Sequence, residues 1–330
     1  MRISIVVRKP RALETSDTGR TFRDDVVAGL LAEPKQLPPK YFYDRIGSEL
    51  FQRITTLPEY YLTRIETGIL ETHAGEIAKL IPADAAVVEF GAGSSAKTRI
   101  LLRAAPHVCA YVPVDISGAF LAAETVRLQQ EMPDLRVLPV EADFTRPFVL
   151  PAKLGDRPRI GFFPGSTIGN FEPHEVNTLL HHAAALLGPG ALFIVGADLV
   201  KDPDILTAAY NDDAGVTAAF NLNLLARINR ELGGEFDLAG FRHLACYNQE
   251  QHRIEMHLVS LARQKVRACG RSFDFRRGET IHTESSYKYT LESFRSHAHG
   301  AGWTSAATFV DAQNYFSVHV LRAKGVVKAA

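Results

Sequence analysis

Two glycines, Gly91 and Gly93, lie one residue apart in this chain, directly after the apolar run "VVEF". Glycines after a strand let the backbone turn tightly and approach a ligand closely, and the N–H groups at the start of the following helix favour negative or polar ligand groups. Asp115 lies at the end of the next predicted strand, where a carboxylate can accept hydrogen bonds from both hydroxyls of a ribose. The pattern therefore predicts a site for a ligand that contains adenosine, and both NAD and S-adenosylmethionine fit it.

Three other features favour S-adenosylmethionine over NAD. Glu89 stands two residues before Gly91, at a position that is usually apolar in a dinucleotide site, and is placed to lie beneath the amino-acid end of the cofactor. Asp143 and Phe144 end the third predicted strand, where they can bond the adenine amine and pack on its ring. The runs "AATFVDAQ" and "YFSVHVLRAK" predict an antiparallel hairpin at one end of the sheet, which fits a methyltransferase better than a dehydrogenase.

Strand-like runs alternate with helix-like segments between residues 85 and 199, which predicts a mostly parallel sheet with helices on both faces. The predicted strands are "AVVEF", "CAYVPVDI", "LRVLPVEADF", "RIGFFPGS" and "ALFIVGADL". The helix "SGAFLAAETVRLQQEM" follows the second of them, with Ser117 at its N-cap. We therefore predict an α/β fold, a Rossmann-like class I methyltransferase sheet that is mostly parallel and ends in an antiparallel hairpin.

Two regions break this alternation. Residues 1–61 are rich in aromatic residues and prolines, and residues 200–288 hold a helical stretch followed by alternating, strand-like segments. Because a βαβ array buries its own faces, an insertion of that size predicts a second lobe. We assign 62–199 and 289–330 to the cofactor-binding core, and 1–61 and 200–288 to an α+β substrate-binding lobe, with the active site between them.

The composition argues against several classes of protein. Lys plus Arg and Asp plus Glu both number 37 and no long basic run occurs, so nucleic acid is not an expected partner. The three cysteines are scattered as in a reduced cytosolic protein, and His252, His257 and the pair His181 and His182 lack the spacing of a metal site, so no metal is predicted. No segment approaches the ~20 apolar residues of a membrane span. We expect a soluble, cytoplasmic monomer with no membrane partner.

Seven segments make the chain resemble one family over nearly its whole length. They are, in order, "YFYDRIGSELFQRITTLPEYYLTRIE", "EFGAGSSAKTR", "PVDIS", "FFPGSTIGNFEP", "AAYND", "RIEMHLVS" and "ESSYKYT". With these segments the chain resembles the histidine-specific methyltransferase family. The resemblance implies S-adenosylmethionine as methyl donor and L-histidine as substrate, with three methyl groups transferred to its α-amine to give hercynine, the first step of ergothioneine biosynthesis.

The resemblance also implies roles for individual residues. It places the cofactor contacts at Gly91, Lys97, Asp115, Asp143 and Phe144. It assigns the substrate's amino-acid end to Tyr60, Asn170 and Tyr210, the imidazole to Glu284 and Ser286, and the lining of the same pocket to Tyr43 and Met256. Glu89 and Gly93, from the glycine turn, complete the predicted cofactor site.

The chemistry of methyl transfer agrees with these assignments. The reaction is a displacement at a sulfonium carbon, so the amine must be neutral, close to the methyl group and in line with the leaving sulfur. A peptide α-amine has a pKa of about 8 and that of a free amino acid is higher, so a deprotonated fraction exists at neutral pH and no strong base is obligatory. Tyr43 and Tyr60 are assigned the catalytic role of accepting or relaying the amine's protons.

The sequence leaves three alternatives open. One is a relative that methylates another aromatic amino acid such as tryptophan, against which Glu284 and Met256 argue, because an indole would leave the carboxylate unpaired. The second is an NAD-dependent oxidoreductase. The third is a binding module without catalytic activity.

Overall fold

The computed structural model describes residues 21–93 and 96–325. Three short segments lie outside the described residues: 1–20, 94–95 and 326–330. The first belongs to the predicted substrate-binding lobe, and the other two belong to the predicted core. Before the core sheet the chain forms α1 (Phe22–Leu31), β1 (Lys35–Gln36), a 3₁₀ turn (Pro39–Phe42), α2 (Arg45–Ile54) and α3 (Tyr61–Leu80). Thr21 and Asp44 cap α1 and α2 through side-chain oxygens that accept backbone N–H groups.

The core sheet and its helices follow in alternating order. They are β2 (Ala86–Phe90), α4 (Ala96–Ala104), β3 (Ala110–Asp115), α5 (Gly118–Glu131), β4 (Arg136–Val137), β5 (Val140–Glu141), β6 (Arg159–Phe163), α6 (Pro173–Leu187) and β7 (Leu192–Asp198). Strand β2 is buried along its whole length, as expected of a parallel strand with both faces covered. The single strand predicted over "LRVLPVEADF" is instead two short strands, β4 and β5, because Pro139 between them has no N–H to continue the ladder.

After β7 the chain forms two α-helices and five strands before it returns to the larger sheet. These elements are α7 (Pro203–Ala209), α8 (Val216–Leu232), β8 (Phe241–Asn248), β9 (Arg253–Ser260), β10 (Gln264–Ala268), β11 (Arg271–Phe275) and β12 (Thr280–Tyr287). The last described elements are α9 (Leu291–Gly300), β13 (Trp303–Val310) and β14 (Phe316–Ala323). A four-stranded sheet has the order β1-β12-β9-β8, and β10 pairs with β11 as a separate hairpin. The smaller sheet thus draws its strands from both segments that the sequence assigned to the second lobe, while the domain boundaries themselves stay a prediction.

The strand order of the larger sheet identifies the fold. The order is β4-β3-β2-β6-β7-β14-β13, with β5 also paired to β3. Strands β2 to β7 are parallel, β14 is antiparallel to β7, and β13 is antiparallel to β14. The predicted Rossmann-like class I methyltransferase sheet with its terminal hairpin is confirmed. Parallel strands place their carboxyl ends along one edge, which is where ligands bind in such sheets.

A close backbone contact joins this edge to the smaller sheet. The 3₁₀ turn Thr167–Asn170, which follows β6, packs against β12. A Cβ atom at Gly169 would lie 2.7 Å from the carbonyl oxygen of Tyr287. A carbon atom does not approach a non-bonded oxygen that closely, so the contact requires glycine. It fixes the position of the next residue, Asn170, relative to β12.

We predict that Gly169→Ala destabilises the protein by about 1–3 kcal/mol, because the added methyl group must push the 3₁₀ turn away from backbone atoms of β12. Urea denaturation measures the change. Gly75→Ala is the matched control, since Gly75 is exposed on α3 with open space around its Cβ position and alanine favours a helix by up to about 1 kcal/mol. Equal stability of the Gly169→Ala variant and the wild type would contradict the close contact.

Candidate functional site

The glycine turn after β2 brings the backbone close to the ring of Phe144 at the carboxyl edge of the sheet. Gly91 has a φ of +74°, which side-chain-bearing residues rarely adopt, and its N–H donates to the carbonyl oxygen of Val114 at 2.9 Å. A Cβ atom at Gly91 would lie 3.2 Å from Cε1 of Phe144, so the predicted adenine-packing ring stands directly beside the turn. A Cβ atom at Gly93 would meet no atom of the other described residues within 4 Å, its chain neighbours apart. The turn therefore depends on Gly91 for its shape.

Two predicted carboxylates lie at the ends of the neighbouring strands. Asp115 ends β3, and its Oδ1 accepts the backbone N–H of Ser117 at 2.9 Å. Burial raises the pKa of Asp115, although backbone hydrogen bonds act in the opposite direction. Ser117 occupies the predicted N-cap position of α5, but its side chain makes no capping bond within the described residues. Asp143 accepts the backbone N–H of Thr145 at 3.0 Å, so both carboxylates are oriented at the edge by the backbone that follows them.

Glu89 lies inside the protein rather than at its surface. The carboxylate accepts hydrogen bonds from the hydroxyls of Thr98, at 2.7 Å, and Tyr111. Burial raises the pKa of Glu89 to about 7, and the two hydroxyls oppose that rise. The oxygens of Glu89 are thus already engaged by the protein, and its contact with the cofactor stays a prediction.

Lys97 is paired with a residue that the sequence analysis did not single out. Its Nζ forms an ion pair with Glu66 of α3, whose side chain is 1% exposed. The same carboxylate accepts the backbone N–H of Gly165 at 2.8 Å. Glu66 therefore holds both Lys97 and the loop after β6, and no sequence pattern in α3 distinguishes it from the other glutamates of that helix.

A bulge in β12 decides which of its side chains face the substrate side. The register of β12 against β9 shifts between His282 and Glu284. Beyond the shift Glu284 lies directly opposite Met256, and Ser286 shares their face because side chains alternate along a strand. Ser285 points to the other face, where its hydroxyl bonds the ring of His282 at 3.0 Å. The structure thus brings the predicted Met256, Glu284 and Ser286 together.

Glu284 is a buried carboxylate without a hydrogen-bond partner among the described residues. It is 7% exposed. Burial raises the pKa of Glu284 to about 7, while the charge of Lys288 acts to lower it. Buried charged groups are normally paired, and an unpaired one marks a position for a ligand.

Three tyrosines and an asparagine complete the predicted substrate side. The ring of Tyr60 lies 6.3 Å from that of Tyr210, and the rings of Tyr43 and Tyr60 both contact Phe51. The Tyr60 hydroxyl and the Asn170 side chain make no hydrogen bond to other described residues. Burial raises the pKa of Tyr60 well above its usual value, and the nearby charges of Tyr210, Tyr43 and Glu284 add to the rise. Tyr43 is 38% exposed as a whole residue, but burial raises the pKa of its hydroxyl, and the charges of Glu284 and Tyr210 add to the rise.

A buried charge network, which the sequence analysis missed, supports the same groups. Lys288 Nζ lies 2.8 Å from Oδ2 of Asp198 and donates to the Tyr210 hydroxyl and to Ser286 Oγ. Asp198 also accepts from Tyr61 and Lys201. Lys288 continues the alternation of 284 and 286 within "ESSYKYT", and that spacing was the available signal. Nothing local in the sequence connects it to Asp198.

The prediction that no metal binds stays a prediction. On the face of the smaller sheet opposite Glu284, ligand atoms of Cys246, Glu255 and His257 lie within 4.8 Å of one another. Glu255 there is already bonded by Arg253 at 2.8 Å, and a neighbouring guanidinium opposes a cation. No helix among the described residues has the length and apolar character needed to cross a bilayer.

Comparison with known proteins adds independent evidence. Residues 22–323 match the family model described as "Histidine-specific methyltransferase, SAM-dependent". The chain is 42% identical to "Histidine N-alpha-methyltransferase" of Mycolicibacterium smegmatis over 89% of this chain and 94% of that protein. It is also 42% identical to the protein of the same name from Mycobacterium tuberculosis, over 86% and 91%. "Ergothioneine biosynthesis protein 1" of Neurospora crassa is 33% identical over 65% of this chain and 26% of that longer protein.

We predict that Glu284→Gln stabilises the unliganded protein at high pH. The pKa of Glu284 is raised in the folded state, so its contribution to stability is fully present below about pH 4.5 and is lost as the pH rises through about 7. Glutamine has no such loss, and the variant should gain on the order of 3 kcal/mol over wild type at pH 8, with the difference narrowing towards pH 4.5. Urea denaturation across this pH range measures it.

Glu255→Gln is the matched control on the opposite face. Burial acts to raise the pKa of Glu255, but hydrogen bonds from Asn248, Arg253 and His257 outweigh it and lower the pKa to about 2. That carboxylate stabilises the protein above its unfolded pKa, so its variant should lose stability at pH 8. Parallel behaviour of the two variants would show that Glu284 is not an unpaired buried carboxylate.

Proposed function

This chain belongs to the family of histidine-specific, S-adenosylmethionine-dependent methyltransferases, and from that premise we propose that it trimethylates the α-amine of L-histidine. The product is hercynine, and the reaction is the first step of ergothioneine biosynthesis. Family membership decides between the two adenosine ligands in favour of S-adenosylmethionine. The observation that carries the choice of substrate is the unpaired, buried carboxylate of Glu284 beside Ser286.

The residues at the carboxyl edge of the sheet fit the methyl donor. S-adenosylmethionine supplies, when bound, a methyl group on a positively charged sulfur. We assign Asp115 to the ribose hydroxyls, and Asp143 with Phe144 to the adenine beside Gly91. Lys97 lies at the start of α4, where its charge and the backbone N–H groups suit the donor's carboxylate, while Glu66 keeps the lysine in place.

The groups assigned to the substrate's amine are side chains that make no hydrogen bond to other described residues. The Tyr60 hydroxyl and the Asn170 side chain have no hydrogen-bond partners among the described residues. We assign both to the amino-acid end of histidine. Because the pKa of Tyr60 is raised, its hydroxyl stays protonated and acts as a hydrogen-bonding group and proton relay rather than as a phenolate base. Burial likewise raises the pKa of Tyr43, which is assigned the same relay role.

Selectivity for histidine follows from the polar groups on the strands of the smaller sheet. An imidazole N–H can donate to Glu284 and its second nitrogen can bond Ser286. A phenyl ring pairs with neither and an indole with at most one, so at least one buried group would stay unpaired at about 1–3 kcal/mol. Methylation of another aromatic amino acid, the nearest alternative, is therefore disfavoured by these two side chains.

We further infer that the enzyme acts as a monomer in the cytoplasm on a small-molecule substrate. The balanced charge of 37 basic and 37 acidic residues gives no attraction for a nucleic acid. Cys109, Cys246 and Cys269 are all free thiols, which suits a reducing compartment.

The test is incubation of the protein with labelled S-adenosylmethionine and a mixture of amino acids, followed by mass spectrometry. We expect label in histidine alone, in a product that carries three added methyl groups. Label in tryptophan would overturn the substrate. No label in any amino acid would favour a binding module without activity.

A second test addresses the roles of Glu284 and Ser286. Glu284→Ala and Ser286→Ala should each lower the affinity for histidine about tenfold or more, through loss of one buried hydrogen bond, and leave the affinity for S-adenosylhomocysteine unchanged. Ser285→Ala is the control, since that neighbouring side chain faces the other side of β12. Calorimetry with each ligand measures both affinities, and equal loss of histidine and S-adenosylhomocysteine binding would contradict the assigned roles.

A further inference from the structure

Lys288 has all three of its N–H donors committed inside the protein. They reach Oδ2 of Asp198 at 2.8 Å, Oγ of Ser286 at 2.9 Å and the hydroxyl of Tyr210 at 3.0 Å. The lysine side chain is fully buried. Burial alone would lower the pKa of Lys288, but the charge of Asp198 outweighs it and holds the pKa above its usual value, so the group is an ammonium.

This arrangement limits the hydrogens that Tyr210 and Ser286 can offer. The two hydroxyl oxygens lie 2.8 Å apart, so one donates to the other. Each oxygen also accepts a hydrogen from Lys288. Of the two hydroxyl hydrogens, one is therefore used between them and one remains for a ligand.

The chemistry of the two hydroxyls decides which one remains. A phenol is the stronger donor and the weaker acceptor of the two, because its oxygen shares electron density with the ring. If Tyr210 donates to Ser286, the phenol oxygen accepts one bond and the serine oxygen accepts two. In the reverse direction the phenol oxygen would have to accept two, from Ser286 and Lys288. Lys288 therefore favours donation from Tyr210 to Ser286.

We propose that Lys288 is a positioning residue that commits the Ser286 hydrogen to the substrate and so makes the site select neutral imidazole. This inference rests on the proposed function. Ser286 donates to the unprotonated ring nitrogen, and the other ring nitrogen donates its hydrogen to Glu284. An imidazolium ring has no unprotonated nitrogen to accept from Ser286, and its second N–H would meet the committed Ser286 hydrogen. The charges around the ring oppose each other, since Glu284 attracts an imidazolium whereas Lys288, itself paired with Asp198, repels it.

The first experiment uses wild-type protein saturated with S-adenosylhomocysteine and ring-¹⁵N-labelled histidine at pH about 5.5, where the free ring, with a pKa of about 6.5, is mostly doubly protonated. The ¹⁵N chemical shifts distinguish protonated from unprotonated nitrogens. We expect the bound ring to show one of each. A doubly protonated bound ring overturns the inference and leaves the proposed substrate standing. Absence of histidine binding at pH about 8 as well, where the free ring is neutral, overturns the proposed function itself.

The second experiment compares two buried lysines that share one carboxylate. Lys201 also bonds Asp198, at 2.7 Å, but its other hydrogen bonds go to Tyr61 and Leu199. Lys288→Met should lower histidine affinity about tenfold and allow the bound ring to become doubly protonated at pH about 5.5, since the hydroxyl pair is then free to reverse. Lys201→Met should keep histidine affinity within about threefold of wild type and keep the ring neutral. Equal effects of the two substitutions on affinity and on the ¹⁵N shifts would show a general structural role for Lys288 and overturn the inference.

Discussion

The ion pair between Asp198 and Lys288 is the interaction on which the predicted substrate side of this enzyme depends. Asp198 is the last residue of β7 in the parallel sheet, and Lys288 directly follows β12 of the smaller sheet. The pair therefore ties the carboxyl edge of one sheet to the strand that carries Glu284 and Ser286. A buried ion pair is costly unless its remaining donors and acceptors are bonded. Here the Asp198 carboxylate also accepts hydrogen bonds from Tyr61 and Lys201. The Lys288 ammonium also donates to Tyr210 and Ser286.

A raised pKa alone does not distinguish a functional carboxylate in this protein. Burial raises the pKa values of both Glu89 and Glu284 to about 7. Glu89 is nevertheless bonded by Thr98 and Tyr111, so its environment is complete without a ligand. Glu284 has no such partners among the described residues. The hydrogen bonds therefore separate Glu89, whose carboxylate is paired within the protein, from Glu284, which we propose to recognise the substrate. A carboxylate left unpaired in this way lowers the stability of the unliganded state.

The sequence predicted the parts of the structure that depend on local pattern. Apolar runs between turn residues located β2, β3, β6 and β7, and the terminal hairpin followed from two strand-like runs close in sequence. Contacts between residues that are distant in the sequence could not be predicted from local pattern. The Asp198–Lys288 and Glu66–Lys97 pairs join segments that only the tertiary fold brings together. The bulge near Thr283, which turns Ser286 rather than Ser285 towards the substrate side, is a one-residue irregularity in the pairing of β12 with β9, and no periodicity shows it.

On the proposed function, three successive methyl transfers place a specific demand on the pocket. Each transfer replaces an N–H of the substrate with a methyl group, so hydrogen bonds that Tyr60 or Asn170 accept from the amine are lost as the reaction proceeds. The product nitrogen carries a permanent positive charge and no donor. The contacts of the ring with Glu284 and Ser286 do not change, because they lie at the opposite end of the molecule from the reacting atom. Retention of the partly methylated intermediates must therefore come mainly from the ring contacts, while aromatic faces such as those of Tyr43 and Tyr60 tolerate the growing cation. The support of Ser286 by Lys288 and Asp198 serves that constant end of the substrate.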